Sequence, residues 1–362
     1  MTRVVTGFVL LGIACWAVAG KTSELSGFNA FLAQPRWGWL IAAAVIEALS
    51  YASMACLQRE LLRAGDARCR LPRVLLITFA SNSVQSALPV GAGFAALYQF
   101  GQYQLLGADE VLAGWVVLAT AGVLFVSVAS LAGIGLAMAA STGNAFDLVE
   151  AIIGVIIVAM LASIVWVERA TISQLLVRAT AGAERLLRRP PGQVSGPVAH
   201  ALERMRAVAP TKAEWLRALG WGCLTWLADC GCWMFAFLAV GASVPWQGLL
   251  LAYCAGQLAA TLPITPGGLG VVEGTLTIAL VYFVPGANGP GTVAAVLLYR
   301  VISFWVPLPV GAGCYAVLLR VKRRVARAAQ AALAEANGGG GRSQVMSIEP
   351  VALTRKDLEA EG

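Results

Sequence analysis

Charge is what this sequence has least of. Asp, Glu, Lys and Arg make up 12% of its 362 residues, where a soluble domain carries about 25%. There is one histidine, His200, in a polar stretch far from any apolar run. That scarcity argues against histidine-based metal sites and histidine acid–base chemistry within the apolar part of the chain. No paired acidic metal motif appears either, and no nucleophile stands beside a base. Neither an enzyme activity nor a metal or cofactor is expected, and no residue is assigned a catalytic role. Seven of the eight cysteines (Cys15, Cys56, Cys223, Cys230, Cys232, Cys254, Cys314) fall inside apolar segments and read as small core residues, leaving Cys69 in a polar loop. Cys230 and Cys232 stand too close on one helix for an easy disulfide.

Apolar residues are what it has in excess: 59% of the chain, with a mean hydropathy of +0.75. Several runs exceed the ~20 residues that span hydrocarbon. The expected class is an all-α, polytopic membrane bundle. Apolar segments run roughly 4–20, 38–58, 74–106, 111–140, 146–168, 217–240, 245–285 and 292–319. The first has the outline of a signal peptide, with Arg3 before the apolar run and Ala17-Val18-Ala19 after it; the expectation is a retained helix. Residues 1–325 form the membrane domain, with a first half to about 168, a basic loop 169–217 and a second half 217–319. A polar tail, 326–362, is expected to be largely disordered.

The +7 net charge sits in loops and tail, so it reports orientation rather than nucleic-acid binding. Loop 59–73 carries Arg59, Arg63, Arg68, Arg70 and Arg73, loop 169–217 carries nine basic residues, and Arg320, Lys322, Arg323, Arg324 and Arg327 open the tail. Basic loops face the cytoplasm, which puts both loops and both termini inside a cytoplasmic membrane. Three apolar segments then separate two inside loops, where an even number of crossings is required. "SALPVGAGF" (86–94) interrupts one of them and "LPITPGGLG" (262–270) interrupts segment 245–285. If each doubles back at its Pro/Gly turn, one from each face, parity is restored with six full crossings and two re-entrant hairpins. The alternative is a pair of kinked but continuous helices. Broken backbone at membrane depth is tolerated where protein or water covers it, and opposed broken helices in two inverted repeats mark transporter substrate sites. "LPVGAG" recurs at 308–313, out of register with that symmetry, and reads as a packing kink or coincidence.

Four charges fall near mid-depth. At 1.5 Å per residue, Glu47 lies about 14 Å into its segment, Asp229 and Glu273 about 18 Å, and Arg300 about 12 Å from an end. Each costs at least ~2.5–3.5 kcal/mol unless paired, neutralised or wetted. Glu273 and Arg300 are the natural couple, as a structural clamp, as the lining of a polar path, or both. Glu47 and Asp229 are candidates for the same path, for bonding to Ser, Thr or Trp neighbours, or for protonation. The candidate substrate-binding set is therefore Glu47, Pro89, Gly91, Gly93, Asp229, Pro266, Gly267, Gly268, Gly270, Glu273 and Arg300. The turn before Glu273 is expected to unwind so that amides of the following helix face an anion. Trp37, Trp39, Trp166, Trp215 and Trp246 lie near segment ends as interface anchors, and "SQLLVRATAGAERLLRR" suits an anionic lipid surface.

"LPITPGGLGVVEG" (262–274) followed by "LLYRVISFWVPLPVG" (297–311) resembles the membrane, flippase-type region of lysylphosphatidylglycerol synthases and its stand-alone bacterial relatives. The resemblance covers about residues 1–325. It implies a helical membrane fold and, in the characterised branch, translocation of aminoacylated phospholipid between leaflets. Around the first-half turn, where many relatives carry Arg and Glu, this sequence has Val90-Gly91-Ala92-Gly93-Phe94. A stand-alone member without the aminoacyltransferase domain is expected, so lysyl transfer is not. The expected function is translocation of a lipid or lipid-linked substrate. A non-transporting partner of an envelope-lipid enzyme and a small-solute or ion transporter stay open, as does a protein partner or a second copy of the chain.

Overall fold

The computed structural model describes residues 36–88, 91–140, 210–260, 265–283 and 290–338, and every regular element among them is helical. In order these are α1 (Trp37–Ala64), α2 (Leu71–Ala87), α3 (Gly91–Leu105), α4 (Glu110–Ala140), α5 (Lys212–Val240), α6 (Trp246–Ala260), α7 (Val271–Phe283), α8 (Pro290–Arg300) and α9 (Pro307–Gly338). A 3₁₀ turn occupies Pro266–Gly268 and a π turn Val301–Trp305. Four stretches among the described residues are long and apolar enough to cross a membrane: Trp37–Ala64, Glu110–Leu136, Lys212–Val240 and Gly291–Arg324. The crossings expected at 4–20 and 146–168 lie outside the described residues. So do Pro89, Trp166, the loop to residue 209 and the tail beyond 338.

α1 and α5 form the central pair, and they run antiparallel along their whole length. Arg36 Nη1 donates to the Leu238 carbonyl at 3.5 Å and Trp39 stacks on Phe235. Further along, Ser50 Oγ donates to the Thr225 carbonyl at 3.0 Å, and Arg217 pairs with Glu60 at 2.8 Å. As numbers rise on one helix they fall on the other. α5 starts at a capping box, in which Thr211 accepts from the Glu214 amide while Glu214 accepts from the Thr211 amide. It stops at Gly241 in a left-handed conformation that a Cβ would disfavour.

The two interrupted segments are hairpins. Gln99 on α3 donates to Ser81 on α2 at 2.9 Å, residues lying roughly equal distances either side of the 88–90 break. Gly256 on α6 faces Leu276 on α7, again either side of the Pro266–Gly268 turn, and so closely that a Cβ at 256 would meet the Leu276 side chain. A continuous kinked helix would hold such residues tens of ångströms apart. The first hairpin opens beside the basic end of α1, where Gly65 lies against Leu112 at the start of α4. The second opens at the opposite end, where Gly291 faces Ala242 just past α5. Each hairpin leans on the other half of the protein: α2 packs along α9, and α6 along α4. The antiparallel central pair, the opposed hairpins and the exchanged packing together make an inverted repeat.

The second "LPVGAG" contributes to that exchange. Ser83 Oγ donates to the Leu308 carbonyl at 2.8 Å, and Gly311 sits against the Phe79 carbonyl with no room for a Cβ. It is a close-packing site between α2 and α9. Two apolar cores result. One gathers Leu57, Leu61, Ile77, Leu112 and Ala218 toward the basic end, the other Ala43, Leu131, Trp233, Phe237 and Leu249 toward the opposite end.

This geometry carries an expectation for which residues share a face of the membrane. Single cysteines placed at Arg63 and Leu105 in a cysteine-free background are expected to react with an impermeant thiol reagent from one side. A cysteine at Trp246, which is exposed at the other end, should react from the other side. Labelling of positions 63 and 105 from opposite sides would refute the first hairpin.

Candidate functional site

Between the two apolar cores lies a polar cavity of ≈ 340 Å³. Its position follows from the three helices that thread both cores. On α1 the cavity-lining Glu47–Met54 falls between Ala43 and Ala55, on α5 Thr225–Asp229 falls between Ala218 and Cys230, and on α4 Leu124 falls between Val123 and Val128. The hairpin tips meet at this level. Gly267 lies against the Ser86 carbonyl at the end of α2, and Ser86, Leu88, Gly91, Thr265, Gly267 and Gly268 all line the space.

Arg300 holds the junction. Its Nε donates to Glu273 Oε1 at 2.6 Å, its Nη2 donates to the Gly267 carbonyl at 3.0 Å, and its guanidinium lies 4.6 Å from the centre of the Phe304 ring. The backbone after Arg300 explains how Phe304 gets there. Pro307 has no N–H to give Ser303 and its ring crowds that carbonyl, so Val306 N–H reaches back five residues to Val301 at 2.9 Å. The widened turn swings Ser303 and Phe304 into the cavity wall. π turns of this kind recur at functional sites.

Gly267, Gly268 and Gly270 adopt φ of 61°, 69° and 82°, the left-handed conformations that glycine takes without strain. The Gly270 amide donates to Glu273 Oε2 at 2.7 Å. Glu273 thus joins two strands of the site, capping the start of its own helix with one oxygen and receiving Arg300 on the other. The first of the amides expected to face an anion is taken by this carboxylate.

A second polar cluster faces the first. Asp229 accepts from Tyr253 OH at 2.6 Å, from Gln257 Nε2 at 3.1 Å and from Tyr299 OH at 3.0 Å, and Glu47 adjoins it across the α1–α5 contact. Of the candidate residues, Glu47, Gly91, Asp229, Gly267, Gly268 and Arg300 line the cavity, with Glu273 behind Arg300. Gly93 is exposed away from it, Gly270 faces open space, Pro89 lies outside the described residues, and Pro266 is described by its backbone only.

The sequence from residue 4 to residue 311 matches the model of the lysylphosphatidylglycerol synthase transmembrane region. The chain belongs to that family. It is accordingly a multi-pass membrane protein, as its apolar helices require. Among curated proteins it is similar to a UPF0104 membrane protein of Methanothermobacter thermautotrophicus, 32% identical over 97 residues that make up 26% of this chain and 28% of the relative. A UPF0104 membrane protein of Pyrococcus horikoshii is 30% identical over 88 residues, 24% of this chain and 26% of its own. The matched stretches thus span about a quarter of those relatives. Both motifs that carry the family resemblance converge on the cavity: the Pro266–Gly268 turn with Glu273, and Arg300 with Phe304.

Residues outside the candidate set supply most of the lining. Thr78, Ser81, Asn82, Gln85 and Ser86 on α2 face the space, as do Gln99, Gln257 and Tyr299. The α2 set follows the i, i+3, i+4, i+7, i+8 spacing of one helix face. That spacing is a signal present in the sequence: a polar stripe along a largely apolar helix.

Proposed function

We propose that this protein moves a lipid, or a lipid-linked molecule, between the leaflets of a cytoplasmic membrane. The headgroup passes through the cavity while acyl chains remain in hydrocarbon. The observation that carries this reading is the place of Arg300: a cation at mid-depth, lining a polar cavity where two opposed broken elements meet. Discontinuous helices from inverted repeats, meeting near the midplane, are the architecture of alternating access. The apolar cores on either side of the cavity act as two seals, of which one opens at a time. At ≈ 340 Å³ the space lies at the low end of ligand-sized pockets and suits a headgroup rather than a whole lipid. Arg300 offers charge-assisted hydrogen bonds to a phosphate, and the α2 stripe offers neutral donors and acceptors along the way.

On this reading the basic end is cytoplasmic, and Arg320, Lys322, Arg323, Arg324 and Arg327 hold α9 against anionic lipid. Membrane lipids are both substrate and partner, and no aminoacyl transfer is assigned to this chain.

The test is leaflet-resolved movement of acyl-labelled lipids in vesicles containing the purified protein, with anionic, zwitterionic and aminoacylated headgroups in parallel. At least one is expected to cross faster than in protein-free vesicles. Arg300→Gln should slow it at least tenfold, equivalent to about 1.4 kcal/mol. If none crosses faster, the protein acts as a non-transporting membrane partner; exchange of a water-soluble solute instead would make it a solute carrier.

A further inference from the structure

Glu47 is charged by type, only 6% exposed, and lines the cavity, yet its Oε2 has no hydrogen-bond partner among the described residues. Its neighbour across the α1–α5 contact is another carboxyl, Asp229, within hydrogen-bond reach. Two carboxylates in contact repel, whereas a single proton between them turns that repulsion into a hydrogen bond. The neighbours decide which member carries it. Asp229 already accepts from two phenols and an amide, those of Tyr253, Tyr299 and Gln257. Three donors favour the ionised form of Asp229 and leave room on Oδ1 for one more, so the O–H belongs on Glu47 and donates to Asp229.

The groups facing the pair from each packed element leave it without a dedicated counter-charge. α1 presents Tyr51, α5 presents Cys230 and Cys232, α6 presents Tyr253, and α8 presents Tyr299 and Arg300. Arg300 is the one cation in that set, and its Nε and Nη2 are directed at Glu273 and Gly267. Nor do the described residues contain a group of three His, Cys, Asp or Glu side chains able to hold a metal ion. Two carboxyls in contact are served by a single proton.

We propose that Glu47 and Asp229 form a proton-binding pair that takes up one proton when the cavity opens to one side and releases it when the cavity opens to the other, coupling headgroup movement to the proton gradient. This rests on the translocase reading, since the pair shares the headgroup cavity. The pair lies on the central helices, between the two apolar seals, so a change of open side changes which solution reaches it. The proton passes from one aqueous phase to the pair and on to the opposite phase, and no other reactant is consumed.

The experiment places the purified full chain in vesicles with acyl-labelled phosphatidylglycerol and phosphatidylethanolamine and imposes a pH difference across the membrane. With one proton per lipid, each pH unit shifts the equilibrium leaflet ratio by up to about tenfold, and reversing the gradient reverses the shift. Glu47→Gln, which keeps the shape but cannot release a proton, should show a ratio that ignores the gradient, and Asp229→Asn should do the same. A wild-type ratio indifferent to pH, or one that answers to a sodium gradient instead, overturns the coupling. Infrared difference spectra across a pH step read the site separately. A protonated-carboxyl band in the wild type that disappears in Glu47→Gln supports the pair, and its absence from the wild type overturns it. If no lipid moves in any vesicle but the band is present and titrates, the translocase reading and the coupling fail while the proton site stands.

Discussion

Arg300→Gln is expected to destabilise the protein more than Glu273→Gln, and the double variant less than the two single effects combined. Both side chains are largely buried, 10% and 21% exposed, at an N–O separation of 2.6 Å. Removing one member of such a pair strands the other, typically at about 3–5 kcal/mol, much of which returns when both are gone. The asymmetry comes from the remaining contacts. Arg300 also bonds the Gly267 carbonyl and lies over Phe304, so its loss frees the hairpin tip as well as Glu273. Glu273→Gln keeps an amide oxygen that can still accept from the Gly270 amide or from Arg300, and it falls at or below the low end of that range. Arg300→Lys keeps charge but cannot point one nitrogen at Glu273 and another at Gly267 in the fixed guanidinium geometry. It should land between the wild type and Arg300→Gln. Denaturation midpoints in detergent for the four members of the cycle measure the coupling. Strict additivity would mean that the ion pair contributes nothing beyond its separate parts.

The pair was legible in the sequence because opposite charges on successive apolar segments, at matched depth, have few alternatives. The hairpins were legible for a different reason. Proline and glycine in the middle of an apolar run break a helix locally, and the uneven distribution of arginines fixes how many times the chain can cross. Those two constraints gave the doubling back that Gln99 with Ser81, and Gly256 with Leu276, display. Contact between Glu47 and Asp229 was not legible. It depends on the register of α1 against α5, set by side-chain packing along nearly thirty residues of each, and nothing local to either acid encodes that register. The polar face of α2 lay in plain view as a periodic stripe, but its short serine and threonine side chains also occur in dry helix contacts. The facing hairpin decides between the two, and that is a tertiary fact. The role of the second "LPVGAG" was half legible: a packing kink in sequence terms, it became a backbone contact with α2 once Gly311 was seen against Phe79.

Gly267→Leu is expected to abolish lipid movement while leaving a folded, inserted protein. Two penalties add at this position. A side chain in the left-handed region costs about 1–2 kcal/mol, and here φ is 61°. The added carbon would also run into the Phe304 ring and approach the Ser86 carbonyl at 3.3 Å, so the larger group wedges the two hairpin tips apart. Overpacking of that kind costs a further 1–3 kcal/mol or so. The sum is tolerable for a bundle whose two cores lie away from the tips, but the wedge sits where Arg300 holds the Gly267 carbonyl and where the cavity wall is formed. Gly270→Ala separates the two effects. Gly270 has φ 82° with nothing within 4 Å of an added Cβ, so the variant carries the conformational penalty without the wedge. Gly270→Ala should therefore lose stability comparably to the first penalty alone and retain lipid movement. If both variants move lipid at the wild-type rate, the contact between the tips is not part of the translocation path. If both lose it equally, the turn's backbone conformation matters and the wedge does not.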